Sequence, residues 1–161
     1  MIDSKQRVHG PSVLFTLALA VVGLCAPLQA EEAAEADVKV TISGNDTMQF
    51  DVKEFEVGVG QTVELTLKHT GALPKAAMGH NVVILKKEMA LMDFAMKAVA
   101  AAATEYIPAD LAENVLAHTK LIGGGEEDVI TFVAPAEAGN YEFLCSFPGH
   151  FGLMKGIMIV K

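Results

Sequence analysis

The sequence predicts an all-β fold, a Greek-key β-sandwich that is interrupted by one helical excursion around residues 87–105. Short alternating or continuously apolar runs are separated by Gly, Pro, Asn and Asp, which is the pattern of strands joined by turns. One longer stretch breaks that pattern, because it is rich in Ala, Met, Leu and Lys and contains neither Gly nor Pro. Short strands with such punctuation are typical of a sandwich, and the helical stretch indicates an insertion rather than a second domain.

The predicted strands begin with two runs of period two. Val38, Val40 and Ile42 lie on one face of the first run, and a turn is indicated directly after it, at residues 44–46. The second run places three apolar side chains on one face in the same way, namely Val63, Leu65 and Leu67. Further strands are predicted at residues 81–85, 129–133, 141–145 and 155–160.

The predicted helix covers residues 86–103 and carries Met89, Met92 and Met96 at helical spacing. Two interpretations of these methionines compete. Their thioethers can offer a copper-binding surface, or they can fill gaps in the core, which Met does well. We expect core packing.

The first 30 residues have the layout of a secretory signal. Lys5 and Arg7 precede an uncharged apolar run over residues 12–25, and Ala30 lies at the expected cleavage point, with Ala26 as the alternative. A bilayer-spanning helix needs roughly 20 apolar residues, and this run is shorter. Cleavage is therefore favoured over a retained membrane anchor.

After cleavage, residues 31–36 form a flexible acidic leader and residues 37–161 form one domain. The formal net charge of the whole chain is −8. Such an acidic chain is not expected to bind nucleic acid or anionic membrane surfaces. We expect no stable membrane association once the signal is removed.

The chain has two cysteines, and cleavage would remove Cys25. Cys145 is then the lone thiol of an exported protein, without a partner in its own chain. In an oxidising compartment such a thiol must be buried, reactive or bound to a metal.

Cys145, His150 and Met154 lie in one short segment around a Pro-Gly turn. Thiolate and thioether sulfurs are soft ligands, which favour copper over magnesium or calcium. A trigonal copper site with a weak axial Met needs a second His. His80 is the best candidate, since it lies at the entry to a predicted buried strand, and the neighbouring Gly79 lets backbone approach the metal closely.

The same residues allow two other interpretations. Cys145 and His150 can act as a nucleophile and its base, but no third residue orients the histidine and Met154 then has no role. Zinc accepts the same thiolate and imidazoles, but structural zinc sites seldom use Met. His69 and His118 are expected to be structural.

Several motifs resemble the azurins, a family of bacterial cupredoxins with a type 1 blue-copper site. The resemblance extends from about residue 38 to residue 161. It rests on Gly44-Asn45-Asp46, Met48-Gln49-Phe50, Leu73-Pro74-Lys75, Met78-Gly79-His80-Asn81, the segment 117–123, Phe147-Pro148-Gly149-His150 and Leu153-Met154-Lys155-Gly156.

The resemblance implies one copper ion with an equatorial plane of His80, Cys145 and His150. Met154 would be the weak axial ligand, and the Gly79 carbonyl oxygen would lie opposite it.

The resemblance also implies groups around these ligands. Backbone N–H groups of Asn81 and Phe147 would donate to the Cys145 sulfur and tune the potential. An apolar rim around the second histidine would form a docking patch for redox partners, and its members are Met48, Leu73, Met78, Phe147, Gly149 and Leu153.

The function implied is that of a periplasmic, monomeric carrier of single electrons, not an enzyme, which cycles between Cu(II) and Cu(I). Its partners would be redox proteins such as a c-type cytochrome or a periplasmic reductase. Copper storage or delivery is an alternative, but delivery sites favour open, Met-rich Cu(I) coordination. A copper enzyme is another, but it needs a second copper centre with further histidines.

The sequence departs from the azurin pattern in three features, at four positions. Val38 and Gly60 stand where azurins carry a disulfide, whose loss costs roughly 2–4 kcal/mol unless packing compensates. Val82 replaces a buried Trp, and the chain has none. Phe151 follows the second histidine, where a small residue is common, and it is expected to alter access to the site.

Overall fold

A computed structural model describes residues 35–161. The predicted signal over residues 1–30 and most of the predicted leader lie outside the described residues. In chain order the strands are β1 (Val38–Gly44), β2 (Glu54–Val57), β3 (Thr62–His69), β4 (Val83–Leu85), β5 (Val115–His118), β6 (Glu127–Val133), β7 (Gly139–Leu144) and β8 (Lys155–Val160). The helices are α1 (Lys75–Met78) and α2 (Leu91–Ala98).

The strands form two sheets, and the predicted all-β sandwich is confirmed. The smaller sheet has the order β1-β3-β6, with β1 parallel and β6 antiparallel to β3. The larger sheet has the order β2-β8-β7-β4-β5. In it β2 runs parallel to β8, and the other neighbours are antiparallel.

Buried and more exposed side chains alternate along the strands, so one face of each sheet is buried in a shared core. The inward side chains of β3 are Val63, Leu65 and Leu67, as predicted, and all three are inaccessible to solvent. Phe143 of β7 lies opposite them in the sandwich and packs its ring near Phe50. The main core cluster also contains Cys145 and Met154, so the candidate metal ligands are part of the core itself.

The helical excursion is shorter than predicted. The prediction of one helix over residues 86–103 was wrong, because α2 covers only Leu91–Ala98 and short 3-10 turns follow at Ala102–Thr104 and Ala109–Asn114. The physical reason is the extent of the buried face. The buried side chains of α2 pack against β4 and β7 and form with them a second, satellite cluster of Val83, Leu85, Leu91, Phe94, Ala95, Ala98 and Leu144. No position between Ala98 and Pro108 is buried.

The expectation that the methionines fill the core was wrong for two of the three. Met92 and Met96 are 55% and 62% exposed, because they lie on the face of α2 that points away from Phe94. Met89 precedes the helix and is partly buried against the satellite cluster. Within residues 35–161, no helix has both the length and the apolar character that crossing a bilayer requires.

Candidate metal centre

Three of the predicted ligands, His80, Cys145 and His150, lie together in the interior, and their donor atoms are all within 4.8 Å of one another. His80 precedes β4, whereas Cys145 directly follows β7 and His150 begins a short 3-10 turn. β4 and β7 are antiparallel neighbours, with Val83 opposite Leu144. Strand pairing therefore brings together ligands that are far apart in the sequence.

Hydrogen bonds hold His80 through both its backbone and its ring. Its N–H donates to the Ile122 carbonyl at 2.9 Å, and the Ile122 N–H donates back at 2.8 Å. The ring Nε2 lies 2.9 Å from the carbonyl oxygen of Asn45. Nδ1 lies 3.0 Å from the Gly79 carbonyl oxygen, so both ring nitrogens face a carbonyl, and a neutral ring can donate to only one of them. The tautomer that donates from Nε2 to Asn45 leaves the lone pair on Nδ1 for a metal. Burial is the largest cause that lowers the pKa of His80, which favours this neutral, metal-binding form.

The ring of His69 packs against the ring of His80. The two rings stack with their centroids 4.1 Å apart. Nε2 of His69 donates to the Met78 carbonyl at 2.8 Å, and Nδ1 accepts the Gly71 N–H at 3.1 Å. With both nitrogens occupied by backbone, His69 has no free atom for a metal, and His118 is exposed on the surface. Both placements fit the structural roles expected for them.

The Cys145 thiol is fully buried, and burial raises its pKa to about 12. Backbone N–H groups of Asn81 and Phe147 hydrogen-bond to it and oppose this shift. The sulfur lies 3.6 Å from Nδ1 of His150 and 3.8 Å from the Gly79 carbonyl oxygen. Such a thiol is protonated at neutral pH, which argues against a thiolate nucleophile. A metal that binds the sulfur must displace its proton.

His150 lies under the surface, beside the ring of Phe147 at a centroid distance of 4.7 Å. Burial first, and then the nearby His80 and His69 rings, lowers the pKa of His150 to about 4. The ring is therefore neutral at physiological pH. A neutral imidazole is the form that binds a metal.

Met154 is fully buried beside the same group. Its N–H donates to the His150 carbonyl and its carbonyl accepts the Cys145 N–H, each at 2.9 Å. A Cβ on Gly44 would lie 2.8 Å from the His80 ring and 3.0 Å from the Met154 methyl. The Met154 thioether therefore lies next to His80, and only glycine leaves room for both. Sequence reasoning treated Gly44 as part of a turn and missed this role.

Gly79 brings backbone to the centre. Its carbonyl oxygen lies 3.0 Å from Nδ1 of His80, on the side that faces the Cys145 sulfur. A Cβ at this position would lie 2.7 Å from the carbonyl oxygen of Lys75 and 3.0 Å from the Leu121 side chain. The close approach therefore requires glycine.

A buried side-chain pair links the two segments that carry the ligands. The Asn81 amide donates to Ser146 Oγ at 2.8 Å, and its Oδ1 accepts the Ser146 N–H at 2.8 Å. The two residues directly follow His80 and Cys145, so the pair fixes the distance between those ligands. Ser146 was not identified from the sequence, because a single Ser carries no indication of its distant partner.

The predicted docking rim is distributed unevenly over the surface. Leu153 is 54% exposed, and Leu73 and Gly149 are exposed as well. Met48 and Met78 are half-buried. Phe147, which the resemblance also places on the rim, is buried instead and packs in the main core cluster.

The residues present fit a copper ion better than zinc or a hard cation. Two neutral imidazoles and one thiol converge in a buried space, and a thioether lies beside them. This donor set is that of a trigonal blue-copper site with a weak axial sulfur. Magnesium and calcium require mainly oxygen ligands, whereas this donor set consists mainly of nitrogen and sulfur.

Comparisons with known proteins agree with this donor set. A family model described as copper binding proteins of the plastocyanin/azurin family matches residues 36–161. Azurin from Alcaligenes faecalis is 50% identical over 122 residues, which cover 73% of this chain and 93% of that protein. Outer membrane protein H.8 from Neisseria gonorrhoeae is 51% identical over 120 residues, or 72% of this chain, and the match covers 63% of its own length.

Solved structures show the same fold. Auracyanin A, described as a "blue" copper protein from Chloroflexus aurantiacus, superposes with a TM-score of 0.68 at 34% identity. The superposition covers 76% of this chain and 98% of auracyanin A. The chain therefore belongs to the plastocyanin/azurin family of copper binding proteins, and one copper ion is its cofactor.

Proposed function

We propose that this chain is a type 1 blue-copper electron carrier, which moves single electrons between redox proteins. The observation that carries the proposal is the buried convergence of His80, Cys145 and His150 within 4.8 Å, inside a sandwich of the azurin family. When bound, copper supplies a one-electron change between Cu(II) and Cu(I).

In this proposal His80 and His150 hold the metal through Nδ1, and Cys145 holds it through sulfur. Met154 would add its thioether as a weak further ligand, and the Gly79 carbonyl oxygen would lie close to the ion. The assignment is supported by the 3.6 Å between Nδ1 of His150 and the sulfur. Nδ1 of His80 faces the Gly79 carbonyl oxygen, which also lies 3.8 Å from the sulfur, and Met154 lies beside the His80 ring.

The chain's main task is to hold these ligands still. A carrier transfers electrons efficiently when its geometry changes little between the two oxidation states. The Asn45 carbonyl fixes the His80 ring, and the Asn81–Ser146 pair fixes the two ligand segments. The backbone N–H groups of Asn81 and Phe147 draw electron density from the Cys145 sulfur, which favours the reduced state and so sets the potential.

Partners would dock on the apolar rim, formed by Met48, Leu73, Met78, Gly149 and Leu153. The exposed Leu73 and Leu153 supply the apolar contact, and His150 lies directly beneath the surface as the point of electron entry. Electron-transfer encounters are small, typically below about 1,200 Å² of buried surface, so that partners separate quickly.

The partners that fit are other redox proteins, such as a c-type cytochrome or a periplasmic reductase. The pattern of residues 1–30 supports export to the periplasm, with residues 37–161 as a monomeric copper domain. An acidic chain of this kind would favour partners that present a neutral or basic rim around an apolar contact.

The electron-carrier role is favoured over an enzyme or a copper-delivery protein. A copper enzyme needs further histidines for a second centre, and in residues 35–161 only His69 and His118 remain, neither of them near a further ligand group. Delivery favours an accessible site, whereas the His80 and Cys145 side chains are inaccessible to solvent.

Stopped-flow electron transfer from a reduced c-type cytochrome tests the docking role. Leu153→Asp places an unpaired charge in the apolar contact and should lower the bimolecular rate about tenfold while leaving the copper absorption unchanged. Val133→Asp is the matched control, because Val133 is 61% exposed at the far end of β6. Equal effects of the two substitutions would contradict the docking patch.

A further inference from the structure

Two consecutive residues at the end of the helical excursion have strained backbone. Glu105 and Tyr106 have φ values of 52° and 65°, in the left-handed region that residues with a Cβ avoid. Strained backbone persists only where surrounding contacts hold it, and it concentrates at functional sites. We call these two residues the 105–106 turn. Neither residue was singled out by the sequence.

The Glu105 carboxylate ties the turn to the segments that carry His80. Its Oε2 accepts the Leu121 N–H at 3.0 Å, and its Oε1 accepts from Lys75 Nζ at 3.2 Å. Leu121 directly precedes Ile122, whose backbone exchanges two hydrogen bonds with His80. The Leu121 N–H is the largest cause that lowers the pKa of Glu105, so the ionised form is favoured in this position.

The Glu105 backbone reaches the residue after His80. The Asn81 amide has two hydrogens, and one is donated to Ser146 Oγ at 2.8 Å. The other is directed at the Glu105 carbonyl oxygen at 3.4 Å. The turn therefore orients the side chain of Asn81, whose backbone N–H bonds to the Cys145 thiol.

Tyr106 contacts the residue that supplies the second backbone N–H to the thiol. Its ring meets Phe147 edge-on, with centroids 5.1 Å apart and an interplanar angle of 69°. Phe147 supplies the other backbone N–H to Cys145 and packs 4.7 Å from the His150 ring. Tyr106 also packs on both the main core and the satellite cluster under α2.

We infer that Glu105 and Tyr106 are positioning residues of the copper centre, which act through Asn81 and Phe147 to aim two backbone N–H groups at the Cys145 sulfur. The inference rests on the proposed blue-copper function. The helical excursion then has a role at the copper centre, because the strained turn at its end positions the backbone N–H groups of both Asn81 and Phe147. Among the described residues, neither side chain makes a hydrogen bond or a ring contact with His80, Cys145 or His150.

Removing the Glu105 carboxylate, which anchors the turn to Leu121 and Lys75, or the Tyr106 ring, which packs on Phe147, should lower the reduction potential. A hydrogen bond to the thiolate withdraws electron density from the sulfur and so favours Cu(I). When Asn81 or Phe147 is free to shift, that bond lengthens and Cu(II) is favoured. We expect Tyr106→Ala and Glu105→Ala each to change the equilibrium with a redox mediator by about threefold toward the oxidised protein, and to speed copper loss to a chelator about tenfold.

The experiment measures the potential and the thiolate-to-copper absorption of the copper-loaded protein. Tyr106→Phe keeps the ring on Phe147 and should retain wild-type values. Asp110→Ala is the matched control for Glu105→Ala, because it removes another exposed ion pair of the same excursion, Lys97–Asp110. It should leave the potential and the absorption unchanged.

If an alanine variant fails to fold, Glu105→Gly removes the carboxylate while relieving the left-handed strain, and it should still lower the potential. Variants that lose thermal stability but keep the wild-type potential and absorption would overturn the inference, since the turn would then be purely structural. A wild-type protein without a blue absorption band would instead overturn the proposed function, so the two failures are distinguishable.

Discussion

At the scale of single residues, the donor groups of the centre are held in neutral forms by burial. The pKa of Cys145 is raised to about 12 and the pKa of His150 is lowered to about 4, and in both cases burial is the main cause. The imidazole is thereby ready for a metal, whereas the thiol must first lose its proton. Copper binding releases the proton of the Cys145 thiol. Copper affinity therefore rises with pH over the range in which that thiol is protonated.

Gly44 supplies a test at this scale. A Cβ in Gly44→Ala would meet the buried His80 ring at 2.8 Å and the Met154 methyl at 3.0 Å, so both must shift. We expect a loss of about 1–3 kcal/mol in the free energy of unfolding, as for other overpacked cores, together with an altered copper absorption.

Gly152→Ala is the control for this substitution, because nothing lies near the added Cβ. Denaturant unfolding of the metal-free protein gives the stability, and the visible spectrum of the loaded protein reports the site. Identical behaviour of the two variants would show that Gly44 is not needed for close approach.

The residues that carry the chemistry could be found from the sequence, whereas those that position them could not. Cys145, His150 and His80 were predicted because soft and imidazole ligands in this pattern are uncommon. Gly44 and Ser146 were missed, because their roles depend on which distant side chain the fold places beside them. A short-range sequence pattern does not contain that information.

At the scale of elements, most strands were predicted, including the three-residue β4 with its continuously buried apolar run, but two were missed. β3 and β6 alternate over seven or eight residues, so their faces are clear. β2 and β5 have only four residues each and were missed. β5 shows no alternation, since three of its residues are half-buried and the last is exposed.

The helix prediction was wrong in length for a related reason. Ala and Lys favour helix intrinsically, but most helical stability comes from a buried face. That face ends at Ala98, and beyond it one short 3-10 turn, Ala102–Thr104, leads into the 105–106 turn.

Phe94→Ala tests whether the buried face anchors the excursion. Phe94 is fully buried in the satellite cluster, so its truncation should cost about 3–5 kcal/mol in the free energy of unfolding. Met96→Ala is the control on the opposite, exposed face of α2, and we expect it to change stability by less than about 0.5 kcal/mol. Denaturant titration measures both, and a small effect of Phe94→Ala would contradict this anchoring role.

At the scale of the whole molecule, hydrogen bonds join the segments that a disulfide joins in azurins. Val38 and Gly60 stand at those positions here, and Cys145 is the free cysteine of the described residues. Next to them, the Asp37 N–H donates to the Thr62 carbonyl at 2.9 Å, and the Asp37 carboxylate accepts the Thr62 N–H at 2.7 Å. This reciprocal pair fixes the start of β1 to β3 without a covalent bond.

The departures near the copper are absorbed by packing. Val82 is fully buried in the main core, where a smaller side chain than Trp suffices. Phe151 is half-buried against the satellite cluster, so it links the loop after His150 to α2. Family, fold and metal are confirmed, whereas the site roles, the partners and the compartment stay predictions.

We propose that Cys145 binds copper as a thiolate in a redox-active centre. Visible absorption of the purified protein after addition of Cu(II) tests it most directly, with Cys145→Ser as the variant and His118→Gln as an exposed-histidine control. We predict an intense blue band that Cys145→Ser abolishes, that His118→Gln retains, and that a mild reductant bleaches reversibly. A colourless protein that binds only Cu(I), or that prefers zinc, would contradict the electron-carrier function.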